Sequence, residues 1–356
     1  MKRFLRSMIV GAAALILAAC HVHQWPEEGD GPAAPGNGSL AIHLKFDTGF
    51  TVVDYPYPGE TRSDAHTYSV DITSGTIRYV LHLYAYNADG TLGDTPYDIS
   101  TLTYSADNIA TYDRDMTFGE LAPGRYALMV WTQFAPTADG PWFYDYTDFR
   151  DICLQGEYAA NTDYRDAFRG MVDVEVGAGR ETDVTVPMTR PLGKYEFITT
   201  DLAEFLDKES TRRHLAAAGT RAMVEDYDVV FYYVGYMPSA YSIPQNRIVD
   251  SMTGVEYESS ITPISQSEAV LGFDYVFANE DDTHVTLQIA LFDKATGDRV
   301  SLTAPVRIPM MRSYHTVVRG SFLFKEAQGG VGVDPGFDGE FNIYVPMSRK
   351  SSRSEV

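Results

Sequence analysis

Apolar and polar residues alternate along much of this chain, and the alternation sets the first expectations. Between Ser39 and Phe46 the residues Leu40, Ile42, Leu44 and Phe46 take every second position, as in a strand with one buried face. Asp47 to Asp64 is polar and contains prolines, which predicts a loop. Ile77 to Tyr86 then reads as a long strand ended by the turn Asn87-Ala88-Asp89-Gly90. After the turn at Leu121-Ala122-Pro123-Gly124, Arg125 to Phe134 predicts a strand with Tyr126, Leu128, Val130 and Thr132 on one face and Trp131 on the other. Pro136 to Gly170 is loop-like and dense in Asp, Tyr and Phe. Val172, Val174 and Val176 alternate with polar residues up to a turn at Gly177 to Glu181, and Val184, Val186 and Met188 resume the pattern as a hairpin closing a sandwich.

Arg190-Pro191 interrupts this run. Proline has no N–H to donate and holds its predecessor extended, so a ladder does not pass through it unbroken. Beyond it, Asp201 and Glu204 have capping-box spacing, with Leu202, Phe205 and Leu206 on one face, which predicts a short helix ending at Asp207 or continuing past Arg213. Asp228 to Met237 is rich in Val, Phe and Tyr, as in a central strand buried on both faces. Leu271 to Ala278, Val285 to Asp293 and Arg299 to Ile308 follow as strands, the last two joined by the turn Lys294 to Asp298. Thr316 to Lys325 and Phe341 to Val345 finish the sheet.

The expected fold is therefore all-β, with two consecutive β-sandwich domains and a short helix in the second. The divisions are a signal peptide over 1–19, a tether over 20–38, sandwiches over 39–190 and 191–347, and a disordered tail over 348–356. A chain of 356 residues, 44% of them hydrophobic, supplies cores for two domains of ordinary size.

The N-terminus carries the most specific chemistry. Lys2, Arg3 and Arg6 precede an apolar run from Met8 to Ala19 that is short for a membrane span, the pattern of an export signal. Leu17-Ala18-Ala19-Cys20 resembles a bacterial lipobox, which makes Cys20 the expected lipidation site. Acyl chains there contribute about 0.8 kcal/mol per buried methylene, so two or three of them tether a protein to the outer membrane durably. The other cysteine, Cys153, lies on an expected strand and reads as a small buried residue; with Cys20 lipidated, no internal disulfide forms. His21 and His23 lack partner ligands nearby, and the run Gln24-Trp25-Pro26-Glu27-Glu28 resembles surface-export signals of Bacteroidetes lipoproteins. A formal net charge of -21 argues against nucleic acid as a partner.

No catalytic constellation emerges. Nucleophile-elbow, phosphate-loop, dinucleotide and zinc-helix motifs are absent, and the eight histidines are scattered. No cofactor or metal site is expected. Asp334 to Glu340 clusters three carboxylates around Pro-Gly and Asp-Gly, which reads as turns rather than a cation loop. Exposed aromatics such as Trp142 and Tyr146 keep open a surface glycan of host or bacterial origin as a ligand.

Several segments together resemble the FimB/Mfa2 family of fimbrial anchor and accessory lipoproteins of Bacteroidetes. They are Cys20 with Trp25-Pro26-Glu27, Ile77 to Val80, Leu121 to Tyr126 with Val130-Trp131, and Arg165-Asp166-Ala167-Phe168-Arg169-Gly170. Later come Thr189 to Phe197, Leu271 to Phe277, Arg319 to Leu323, and Asp334 to Ile343. The resemblance implies two transthyretin-like Greek-key sandwiches and a non-enzymatic subunit that tethers a fimbrillin shaft at the outer membrane. It also implies contact by β-strand addition and an anchor that keeps its first strand, Leu40 to Phe46. A glycan-binding lipoprotein and a tip adhesin of the same type of pilus are the alternatives.

Overall fold

The computed structural model describes residues 36–55, 66–69, 72–215, 221–281, 283–324, 332–334 and 342–344. Expectations for the signal peptide, Cys20, His21, His23, most of the tether, residues 335–340 and the tail 348–356 lie outside them.

The first half supplies eleven strands: β1 (Gly38–Phe46), β2 (Gly49–Tyr55), β3 (His66–Ser69), β4 (Gly75–Ala85), β5 (Asp98–Ala106), β6 (Arg114–Leu121), β7 (Gly124–Ala135), β8 (Tyr144–Asp145), β9 (Ile152–Leu154), β10 (Ala167–Val176) and β11 (Glu181–Met188). A three-stranded sheet in the order β11-β1-β6 faces a four-stranded sheet in the order β10-β7-β4-β5. Leu40, Ile42 and Leu44 of β1 meet Ile77, Tyr79 and Leu81 of β4 and Leu128 and Val130 of β7 in the core between them. The alternation read from β1 and β7 thus points into this core, and β4 is the long strand expected over Ile77 to Tyr86.

Three expectations for this half change. The expected 47–64 loop contains β2, which pairs in parallel with a strand near the C-terminus, so its partner is remote from it in sequence. The expected hairpin at 172–188 is a corner: β10 and β11 belong to opposite sheets, and two hydrogen bonds of 2.9 Å between Arg169 and Thr189 fasten their far ends. The loop expected over 136–170 already becomes strand β10 at Ala167.

The second half adds β12 (Leu192–Thr199), α1 (Leu202–Leu215), β13 (Tyr227–Tyr233), β14 (Met237–Ser242), β15 (Arg247–Met252), β16 (Glu256–Ser259), β17 (Thr262–Pro263), β18 (Ala269–Phe277), β19 (Thr283–Asp293), β20 (Arg299–Leu302), β21 (Val306–Met310), β22 (Tyr314–Gly320), β23 (Gly332–Asp334) and β24 (Asn342–Tyr344). A six-stranded sheet, β17-β18-β12-β22-β2-β3, packs on a sheet built around β16, β13 and β19. The helix runs to Leu215 and buries Leu202 and Phe205. The Asp201 carboxylate accepts hydrogen bonds from the Thr199 hydroxyl and the Leu323 N–H, so it ties the helix start to the returning chain.

Here too the structure corrects details. β13 is buried on one face only: Tyr227, Val229, Phe231 and Tyr233 are buried, whereas Asp228, Val230 and Tyr232 are half-buried along a surface cleft. The strand expected over Arg299 to Ile308 splits into β20 and β21, which pair separately with β19 on either side of Pro305. β24 pairs with β23 in a two-stranded sheet and does not join the main one.

A third core lies between the four-stranded sheet and the second half. Val80, Tyr84, Met129 and Trp131, from the outer face of β4 and β7, pack with Phe50, Phe149, Leu192, Tyr241, Tyr275 and Phe277. β4 and β7 are consequently buried on both faces.

Candidate functional site

The segments singled out in the sequence converge at this junction. Arg165 and Asp166 precede β10, Arg190 lies between β11 and β12, Lys194 is on β12, and Asp274 is on β18. A charge inside a buried strand needs a partner there. Nε and Nη2 of the buried Arg190 stand 2.9 and 2.8 Å from the carboxylate of Asp166. Its Nη1 donates to the Gly49 carbonyl at 3.1 Å, and its guanidinium centre lies 3.9 Å from the Phe50 ring centre. One arginine therefore joins the start of β10, the break before β12, and β2.

Next to it, Arg165 Nε lies 3.0 Å from Asp274 Oδ1, an ion pair set off the N–H axis, while Nη1 and Nη2 donate to the carbonyls of Ala159 and Tyr275. The other oxygen of Asp274 accepts hydrogen bonds from Tyr233 at 2.7 Å and from Tyr158. The Tyr195 hydroxyl continues the chain to Tyr233 at 2.9 Å and Tyr257 at 3.0 Å. Asp163 receives Lys194 at 2.9 Å and the Tyr275 hydroxyl at 2.6 Å.

Burial pushes the Asp166 and Asp274 carboxyls up, against the pull of Arg190 and Arg165 respectively. Burial also holds the hydroxyls of Tyr158, Tyr195, Tyr233 and Tyr257 well above their ordinary value, so they stay protonated donors. Arg165, Asp166, Arg190 and Asp274 are closed to solvent and cannot meet a substrate. Their arrangement fastens two halves together.

Glycine completes the junction. A Cβ on Gly193 would stand 2.6 Å from the Met311 carbonyl oxygen, so the backbones of β12 and the 311 turn approach closer than any side chain allows.

Of the surface residues singled out, Trp142 is half-buried and lines a cleft of about 1110 Å³ with Glu157, Tyr232, Glu256 and Glu258. Tyr146 does not line it. The Arg78 guanidinium lies 3.7 Å from the Trp142 ring centre and donates to the Tyr146 hydroxyl at 3.3 Å, so an internal cation occupies one face of that indole. Cys153 is on β9 as expected, but half-buried, and burial raises its thiol pKa. Among the described residues no three His, Cys, Asp or Glu side chains gather as metal ligands. The same residues include no helix long and apolar enough to cross a membrane.

The model of a family of unknown function, DUF6562, matches residues 37–353. The chain belongs to DUF6562. No curated protein matches this DUF6562 chain. Among solved structures it is similar to the fimbrial anchor protein Mfa2 from Porphyromonas gingivalis, at 12% identity over 74% of this chain and 82% of that one, with a TM-score of 0.35. It is also similar to a candidate cell adhesion protein from Bacteroides eggerthii, at 14% identity over 88% and 96% of the two chains, with a TM-score of 0.43. A candidate polysaccharide-binding protein from Bacteroides thetaiotaomicron is 14% identical over 76% and 79%, with a TM-score of 0.41. At these identities and scores the neighbours' roles do not extend to the DUF6562 chain.

Proposed function

We propose that this protein is a non-enzymatic accessory subunit of a fimbria, held at the outer membrane by acyl chains on Cys20 and carrying a shaft of fimbrillin-type subunits. Two sandwiches, the second completed by β2 and β3 from the first half, bridge the tether and the shaft. The segments resembling the FimB/Mfa2 anchors support this reading, and one structural observation carries it: the strand that follows the tether is the centre of its sheet. β1 pairs in parallel with β11 from Ser39 to Phe46 and antiparallel with β6 on its other edge. Its Leu40, Ile42 and Leu44 are at most 1% exposed. Pulling on Gly38 along β1 loads both ladders in shear, so many hydrogen bonds resist at once. That suits a subunit that keeps its first strand and bears load through its tether.

The test is Cys20→Ala, followed by fractionation of cells and medium. The expected result is release of the protein together with its fimbriae into the medium. Unchanged retention on the cell would overturn the anchor role.

A further inference from the structure

Among the described residues both sheets of the first sandwich end in edge strands, and one of those edges carries no charge or proline inside it. β5 is the outermost strand of its sheet, and no described strand lies beside it. Its ladder parity is legible. The Tyr86 N–H bonds to the Arg125 carbonyl, which turns even-numbered residues of β4 toward β7 and odd-numbered ones toward β5. The register pairs Leu83 with Asp98 and Leu81 with Ser100, so even-numbered residues of β5 bond inward. Ile99, Thr101, Thr103 and Ser105 therefore direct their N–H and C=O groups outward. The Ile99 N–H confirms the parity, because it is satisfied by the Asp98 carboxylate at 2.8 Å instead of by a strand.

Natural sheets guard such edges with charges, proline or bulges. Every other described edge strand of five or more residues carries a charge or a proline inside it: Asp115 in β6, Asp173 in β10, Asp183 in β11, Asp250 in β15 and Pro309 in β21. β5 has its one charge at its first residue and is uncharged from Ile99 to Ala106. Ile99, Leu102 and Tyr104 are 53%, 38% and 37% exposed. Leu102 and Tyr104 lie opposite Tyr79 and Ile77, on the side of the sheet that faces the core. Among the described residues they are only partly covered, because the facing sheet stops at β6, from which Arg114 reaches over the Tyr104 ring at 4.2 Å.

The charges at the two ends identify the occupant. Asp98 and Asp107 are both exposed and bracket the uncharged stretch. In an antiparallel pair of two copies centred on Leu102, Asp98 of one copy faces Ala106 of the other, beside Asp107, so like charges meet at both ends of chains that each carry a net -21. A segment with uncharged central residues and Lys or Arg at its ends meets no such penalty and complements both aspartates. We infer that the β5 edge receives an extended, basic-flanked segment of another fimbrial subunit as an added strand, with its apolar side chains set on Leu102 and Tyr104. The identity of the partner rests on the accessory-subunit reading; the receiving edge does not.

Two synthetic peptides test this, each with a central Val-Thr-Val-Thr-Val-Thr, one flanked by Lys-Lys and the other by Glu-Glu at both ends. The Lys-flanked peptide is expected to bind the protein, to bind several-fold tighter than the Glu-flanked one, and to protect the amides of Thr101, Thr103 and Ser105 from hydrogen exchange. Thr103→Pro removes an outward donor without touching the β4 ladder, and is expected to weaken binding about tenfold or more. Equal binding to wild type and Thr103→Pro, or no protection of the three amides at millimolar peptide, would overturn the inference independently of how the variant folds. In cells, fimbriae retained by Thr103→Pro but shed by Cys20→Ala would overturn the β5 contact and leave the anchor role standing. Retention in the Cys20→Ala strain would count against the anchor role instead.

Discussion

Arg190 and Asp166, 24 positions apart, form a fully buried pair in which two guanidinium nitrogens meet one carboxylate. The pair links the start of β10 to the break that leads into β12, and through the Gly49 carbonyl it also holds the strand that the first half contributes to the second half's sheet.

Removing one member leaves a desolvated charge. Asp166→Asn or Arg190→Met is expected to destabilise the protein by roughly 3–5 kcal/mol. Arg190→Lys is expected to be costly as well, because one ammonium cannot replace the Nε donor to Asp166, the Nη2 ion pair and the Nη1 bond to the Gly49 carbonyl together. Urea unfolding midpoints check all three, and midpoints within error of wild type would show that the pair does not fasten the halves.

Gly193 makes a steric prediction at the same junction. Gly193→Ala forces its new methyl against the Met311 carbonyl and is expected to cost about 1–3 kcal/mol, as overpacking does. The thermal midpoint reads this directly.

Much of this architecture was legible in the sequence, and each element that was missed has its own physical reason. β1, β4 and β7 showed themselves because one face of each fills a sandwich core. β5 did not, because Ile99, Leu102 and Tyr104 stay exposed and no apolar stripe marks the strand. β2 was hidden by distance, since its register with β22 is set at the far end of the chain. The outer face of β13 looked buried because Val230 and Tyr232 are apolar, although they line a cleft. For the junction, the signal was present: Lys194 and Asp274 are charges inside otherwise apolar runs, and such charges demand partners. Which partner each would find depends on contacts between segments far apart in sequence, and alternation carries no information about that.

His82 gives the fold a pH dependence. Burial lowers its pKa from 6.5 to about 4, with Asp148 opposing; its ring stacks on Phe149 at 3.9 Å, and Nδ1 has no hydrogen-bond partner among the described residues. The unfolded chain therefore binds a proton that the folded chain refuses between these values. Its contribution to stability is complete above pH 6.5 and is lost progressively as pH falls toward about 4. His82→Phe is expected to flatten that part of the stability profile, measured by urea unfolding across the window. An unchanged slope would assign the dependence to other groups.

Arg78 over Trp142 bears on the glycan alternative. With one face of the indole occupied, a glycan screen is expected to return no ligand whose binding Trp142→Ala abolishes in a folded protein. A glycan that depends on Trp142 would favour the glycan-binding role.

The account depends most on the first strand staying with a lipidated chain. Mass spectrometry of the protein purified from native outer membranes, after mild crosslinking, reads both at once. The predicted result is an acylated N-terminal Cys20, an intact chain through β1 and crosslinked shaft subunits. A chain that begins after Phe46 and lacks the lipid would contradict the anchor role and make this protein a shaft or tip subunit.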